Sequence, residues 1–148
     1  MPEGISIKIR ILTIDDYDKM VKLWEDSGLE SRPKGRDSKK AMEVQMKENS
    51  EYFIGAFIGP SLVGTVIVSD DGRKGWINRL AVDPRDRRKG IAKALVAEAE
   101  RILHEKGIKI FSALIMDNNR PSKELFRKLG YKELEKVKYF SKKESEEV

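Results

Sequence analysis

Leu80-Ala81-Val82-Asp83-Pro84-Arg85-Asp86-Arg87-Arg88-Lys89-Gly90-Ile91-Ala92 is where the periodicity of the chain changes. Up to Val82 the apolar residues read as a strand, whereas Ile91, Leu95, Ala99, Ile102 and Leu103 recur at helical spacing until Gly107 ends the run. A strand, a turn containing Pro84 and the start of a long helix therefore meet within this stretch. The first backbone N–H groups of a helix have no partner within it, and the positive end of the helix dipole lies behind them, so such a start attracts phosphate. Gly90 and Ala92 let the main chain approach a bulky anion with little side-chain obstruction, and Arg85, Arg87, Arg88, Lys89 and Lys93 surround the point with cations.

The segments on either side complete a βαβ crossover. Residues 108–116 are strongly apolar and predict a strand parallel to residues 76–82. A short helix is expected over about 121–129, with Pro121 in its first turn and Gly130 as its stop, then a last strand or pair over 131–141 and a frayed, charged tail. Upstream, the apolar runs 52–58, 62–69 and 76–82 are separated by Gly59-Pro60-Ser61 and Asp70-Asp71-Gly72, which predicts an antiparallel meander. Ile5, Ile7, Ile9 and Ile11 alternate as in a strand with one buried face. Thr13 and Asp16 are spaced to cap a helix whose apolar face is Tyr17, Met20, Val21 and Trp24 and whose stop is Gly28. After a polar loop, Asp37 or Ser38 is placed to cap a second helix through about Asn49. The order β, α, α, three antiparallel β, α, β, α, β predicts an α/β (α+β) fold, a mixed and mostly antiparallel sheet flanked by about four helices, in a single domain spanning 1–148 with its core at about 5–140.

Composition narrows the chemistry. The 148 residues contain no cysteine and one histidine, His104, which excludes a thiolate nucleophile, a Cys-ligated zinc site and any multi-histidine metal site. No apolar run is long enough to span a membrane and no signal segment opens the chain, so a cytoplasmic location is expected. Net charge is +5, and residues 83–131, with 12 basic and 7 acidic side chains, hold the whole excess. A localised excess implies a localised anionic partner. RNA recognition would need stacking aromatics among those cations, and residues 84–110 contain none. Phosphate-loop, dinucleotide-binding, G-x-S-x-G and H-E-x-x-H motifs are all absent.

Arg87-x-x-Gly90-x-Ala92 after the fourth strand resembles the R/Q-x-x-G-x-G/A hallmark of the GCN5-related N-acetyltransferase (GNAT) superfamily. Asn119, Ser122, Leu125-Phe126 and Gly130-Tyr131 are similar to a second feature of that family, and Leu23-Trp24-Glu25, Gly28-Leu29 and Arg32-Pro33 resemble small stand-alone bacterial and archaeal members. The resemblance covers roughly residues 5–140. It implies acetyl-CoA as acyl donor, no metal, and an amine acceptor on a small molecule or a protein. The donor would lie in a wedge where the fourth and fifth strands splay apart. Leu80, Ala81 and Val82 would border its pantetheine arm, while Arg87, Arg88, Lys89, Gly90, Ile91, Ala92 and Lys93 would surround its pyrophosphate. Asn119, Ser122 and Phe126 complete the implied cofactor-binding set. Acetyltransferases of this sort often form homodimers; neither a membrane nor a nucleic acid is an expected partner.

Two positions depart from the family pattern. Many relatives carry a Glu base on the fourth strand where this chain has Asn78, and a Tyr that protonates the departing sulfur where it has Phe126. Glu25, Asp26, Glu30 and Asp117 are the carboxylates that rough position brings into question as a base, and none is assigned. Tyr131 is a substitute acid or a core plug, and His104 a base or a surface partner of its helix end. Trp24 and Trp76 could stack on a ligand, though Trp24 also fits its helix's buried stripe. Arg32, Pro33 and Arg36 shape an acceptor pocket or belong to an ordinary loop. Three functions stay open: an N-acetyltransferase acting by direct attack in a ternary complex, a CoA-binding module without transferase activity, and an RNA-binding domain.

Overall fold

Thr13 and Asp16 form the expected capping box, the Thr13 amide donating to Asp16 at 2.8 Å, around a short 3-10 turn at Ile14–Asp16. Asp16 is buried and also accepts two hydrogen bonds from Arg10, at 2.9 and 3.0 Å. That guanidinium holds the Asp16 carboxyl below its ordinary value and lies 3.9 Å from the Phe57 ring centroid. The turn runs into helix α1 (Tyr17–Ser27), which Gly28 ends in a left-handed conformation at φ 78°. Ser38, not Asp37, caps helix α2 (Lys39–Glu48) by accepting from the Ala41 amide, which leaves Asp37 for the buried role described below.

The computed structural model describes residues 6–148, so Ile5 lies outside the described residues. Strands β1 (Lys8–Ile11), β2 (Phe53–Ile58), β3 (Ser61–Asp70), β4 (Gly75–Val82) and β5 (Phe111–Ser112) form one sheet in chain order. Neighbours from β1 to β4 are antiparallel, and β4 pairs with β5 in parallel across the long helix α3 (Ile91–Glu105). Adjacent strand residues project to opposite faces. Thr65 accordingly meets Trp24 of α1, whereas a Cβ on Gly64 would lie 2.7 Å from Ile91 of α3. Helices α1 and α3 thus cover opposite faces of the sheet. Gly75 carries no side chain because one there would collide with Leu103 of α3. Asn119 caps α4 (Arg120–Lys128), and Tyr131 just beyond it reaches back to Glu100 of α3.

Strand β4 is bent by a bulge. Thr65 pairs with Ala81 and Ile67 with Asn78, so Val66 opposes both Arg79 and Leu80, and Arg79 takes up a left-handed φ of 52°. Before the bulge is reached β4 has already parted from its parallel neighbour: the β4–β5 ladder consists of Gly75 with Phe111 and Trp76 with Ser112 and goes no further. The strand expected over 108–116 is therefore shortened to two residues, because 113–116 have no β4 backbone to pair with. The strand expected over 131–141 is absent: 132–141 form no ladder, and Leu134, Val137, Tyr139 and Phe140 are exposed. Their separations of three, two and one residues give no face that alternates as a strand's does, and among the described residues they pair with no other strand. Among the described residues no helix is long and apolar enough to cross a membrane.

Candidate active site

Where the β4–β5 ladder stops, Asn78 to Val82 and residues 113–116 share no backbone pairing, and these two segments face each other as the walls of a gap in the sheet. A strand separated from its neighbour leaves N–H and C=O groups free for an extended ligand to pair with. Leu80 and Val82 are half-buried along this wall, and Ala81 is buried behind it.

At the end of β4 the chain turns sharply. Asp83, buried, caps the Pro84–Asp86 turn by accepting from the Arg85 amide at 3.0 Å. Positive φ angles at Arg88 (65°) and Gly90 (79°) then aim the main chain into α3. The left-handed Gly90 stands at the N-cap, and among the described residues no side chain bonds to the first-turn amides. The first intrahelical bond of α3 runs from the Ala94 amide to the Gly90 carbonyl at 3.0 Å, which leaves the amides of Ile91, Ala92 and Lys93 bare of partners among the described residues.

The cations expected around this point divide into two groups. Arg85 pairs with Asp83 at 2.9 Å and Lys89 with Asp86 at 2.6 Å, so both shape the turn and their charge is locally neutralised. Arg87, Arg88 and Lys93 enter no ion pair among the described residues. Arg88 and Lys93, with Lys89, Gly90 and Ala94, line a cavity of about 500 Å³ whose apolar wall is Ile7 and Ile9. The cavity opens on the α3 face.

The remaining candidates take structural positions. Asn119 accepts from the Ser122 amide at 3.2 Å, so the two meet as the α4 cap. Phe126 is buried in edge contact with Tyr131, ring centroids 4.9 Å apart. The Tyr131 hydroxyl donates to Glu100 at 2.6 Å; burial first, and then Glu100, push it well above the ordinary tyrosine range. A hydroxyl so committed is a poor proton donor to a thiolate, and Tyr131 acts as a core plug. His104 is exposed on the last turn of α3. Trp24 is fully buried, as its helical stripe implies, while Trp76 sits on the closed part of the β4–β5 ladder. Asn78 contacts Ser69 at 3.4 Å. Among the carboxylates, Asp26 pairs with Lys22, Glu30 with Arg32 and Asp117 with Lys123, and Glu25 is exposed, so none is enclosed beside the gap. Among the described residues no cluster of His, Asp and Glu is arranged to hold a metal ion.

Arg79 and Asp37 form a pair that the motifs did not single out. Arg79 Nη2 lies 2.6 Å from Asp37, and their side chains are only 15% and 6% exposed. Burial pulls the guanidinium below its ordinary value, and Asp37 opposes that shift. One cue was available: an Arg in the middle of an apolar strand has to bury its charge, and so calls for an acid nearby.

A splayed parallel pair beside a bare helix start is the arrangement that the motif at Arg87 to Ala92 implied. The model of the acetyltransferase (GNAT) family matches residues 17–131. The chain belongs to the GNAT acetyltransferase family. An acetyltransferase of Yersinia pestis (strain Pestoides F) is 30% identical over 125 residues, covering 84% of this chain and 87% of that protein. The crystal structure of the PaiA N-acetyltransferase of Thermoplasma acidophilum in complex with coenzyme A is similar at 27% identity, with a TM-score of 0.76 over 86% of this chain and 90% of that one. The aminoglycoside acetyltransferase AAC(6')-Iy, in complex with a bisubstrate analogue, shares the GNAT fold at 19% identity and a TM-score of 0.76, covering 93% of this chain and 99% of that one.

Proposed function

We propose that this GNAT chain transfers an acetyl group from acetyl-CoA to a primary amine by direct attack. The observation that carries this reading is the uncapped first turn of α3 at the mouth of the β4–β5 gap. The residues suit the donor in kind. The amides from Arg88 to Ala92 meet the pyrophosphate, with Arg87, Arg88 and Lys93 adding charge and Lys89 and Asp86 holding the turn. Main-chain groups of Leu80 and Val82 pair with the pantetheine amides as a further strand would, with Ala81 packed behind them. An N–H near Leu80 polarises the thioester carbonyl, and one such donor is worth about 3 kcal/mol. Asn119 and Ser122 start α4, whose Phe126 and the following Tyr131 form the floor on the α3 side. The coenzyme A complex of the similar PaiA N-acetyltransferase supports acetyl-CoA as the donor.

The chemistry left to side chains is small. A thiol with a pKa of about 8.5 leaves without an acid far more readily than an alcohol, so Phe126 in place of Tyr slows turnover without abolishing it. Glu25, Asp26, Glu30 and Asp117 are not enclosed beside the gap and the buried Asp37 is committed to Arg79, so the amine must supply much of its own deprotonation. An α-amine, pKa about 7.7 to 8, manages this near neutrality, and a lysine at about 10.4 does so poorly. A protein or peptide N-terminus, or a small amine of similar basicity, is therefore the favoured acceptor class.

The test is thiol release from acetyl-CoA with an octapeptide bearing a free α-amine, against the same peptide N-blocked with an internal lysine. At pH 7.5 the free α-amine is expected to react at least about 10-fold faster, and kcat/KM to rise with pH until about 8, following the amine's own ionisation. A plateau reached below pH 7 would reveal a protein base and contradict this reading. Tight acetyl-CoA binding without thiol release across a broad amine panel would favour the second reading, a CoA-binding module, which Asn78 and Phe126 motivate.

A further inference from the structure

Residues 29–38, between α1 and α2, contain no helix or strand, yet they are pinned to β4 from below. The Arg79 guanidinium donates to the Glu30 carbonyl and to Asp37. Asp37 in turn accepts from the Arg32 amide at 2.7 Å, and its own carbonyl accepts the Tyr17 hydroxyl at 2.6 Å. The Arg79 guanidinium carbon lies 5.0 Å from the Trp24 ring centroid, so the cation has an aromatic floor. Its carbonyl accepts the Thr65 hydroxyl at 3.0 Å, and Thr65 accepts the Trp24 N–H at 3.0 Å. One residue, at the bulge and in a left-handed conformation, thus ties together the loop, helix α1 and the strand.

Stability alone does not require this device. A well-packed apolar pair commonly serves a buried position as well as two ions do, and a non-glycine left-handed residue is itself strained. Position explains it better. Arg79 stands beside the gap and its side chain reaches away from the strand to the loop, so the pair fixes where residues 29–38 stand. The clamped loop lies on the α1 face, while the bare α3 amides and their cavity lie on the α3 face. A donor gripped from the α3 side leaves the opposite face open to an attacking amine, and residues 29–38 form the wall on that face.

We infer that the Arg79–Asp37 pair is a positioning device that holds residues 29–38 as the wall of the amine site and so sets amine affinity without acting on the donor. This inference rests on the transferase reading above. Its test is steady-state thiol release with the free α-amine octapeptide varied at saturating acetyl-CoA. It is combined with acetyl-CoA titration and amide hydrogen exchange on the full chain. Asp37→Asn removes the charge but keeps an acceptor for the Arg32 amide; Arg79→Lys keeps the charge but loses the fork. Each is expected to raise the peptide KM about 10-fold, to leave the acetyl-CoA Kd within about two-fold, and to speed exchange across 29–38. Asp16→Asn breaks the Arg10–Asp16 pair elsewhere in the molecule and controls for general loosening. It is expected to lower the melting temperature with the peptide KM unmoved. Unchanged KM in Asp37→Asn and Arg79→Lys, or a rise equalled by Asp16→Asn, overturns the inference while the transferase reading stands. A wild type that binds acetyl-CoA but acetylates no amine removes both together.

Discussion

Gly90→Asp is expected to bind acetyl-CoA at least about 100-fold more weakly than the wild type while folding almost normally, a loss of about 2.7 kcal/mol in binding free energy. The two effects separate because of where Gly90 stands. It is the N-cap of α3 at φ 79°, and a Cβ built there meets nothing within 4 Å. An Asp pays about 1 to 2 kcal/mol for the left-handed backbone, but its carboxylate caps the bare amides for a similar return and favours the positive end of the dipole. That carboxylate then occupies the place proposed for the pyrophosphate and repels it. Gly90→Asn caps in the same way without charge and tolerates the same backbone, so a loss nearer 10-fold is expected of it. Isothermal titration and a melting curve read both variants. An acetyl-CoA affinity within about three-fold of wild type in a folded Gly90→Asp protein would place the pyrophosphate elsewhere.

Trp24→Ala should cost more stability than any other single change considered, about 4 kcal/mol. The indole is fully buried between α1 and the sheet. Truncation leaves a cavity that the surrounding sheet only partly fills, and removes the N–H donated to the Thr65 hydroxyl, which keeps its own bond to the Arg79 carbonyl. It also removes the aromatic floor beneath the Arg79 guanidinium. For a chain of this size the melting temperature should fall by roughly 10 °C or more. Trp24→Phe keeps most of the volume and loses the hydrogen bond, with an expected cost of about 1 to 2 kcal/mol. Chemical denaturation of the three proteins checks the ranking, and a Trp24→Ala loss below about 1 kcal/mol would mean that the indole is not the keystone of the α1 face.

The parts of the fold that the sequence announced are those governed by local periodicity and punctuation. Ile91, Leu95, Ala99, Ile102 and Leu103 marked the buried face of α3, and the turns around Gly59 and Gly72 marked the meander. The bare helix start was legible because Gly90 offers no side chain to cap it. What escaped depends on contacts distant in sequence or on unusual backbone. Nothing about Arg79 announces a left-handed bulge, and its partner Asp37 stands 42 residues away. Asp37 read as a helix cap because it neighbours Ser38, the residue that does the capping. Arg85 and Lys89 read as ligand cations because pairing with Asp83 and Asp86 requires the turn geometry to be known. The last strand or pair expected at 131–141 is absent: its apolar residues do not alternate, and a ladder needs a second strand that local sequence cannot supply.

The claim that everything else depends on is that the donor's anionic end is held by backbone at the start of α3 and its arm by the exposed side of β4. Amide chemical-shift mapping during an acetyl-CoA titration tests it residue by residue. The largest perturbations are expected at Ile91, Ala92 and Lys93, accompanied by Leu80 and Val82, with residues 29–38 nearly unmoved until an amine is added. Perturbations centred instead on the far end of α3, around Arg101 and Lys106, or a saturated complex in which the Ile91 to Lys93 amides stay where they were, would contradict the account.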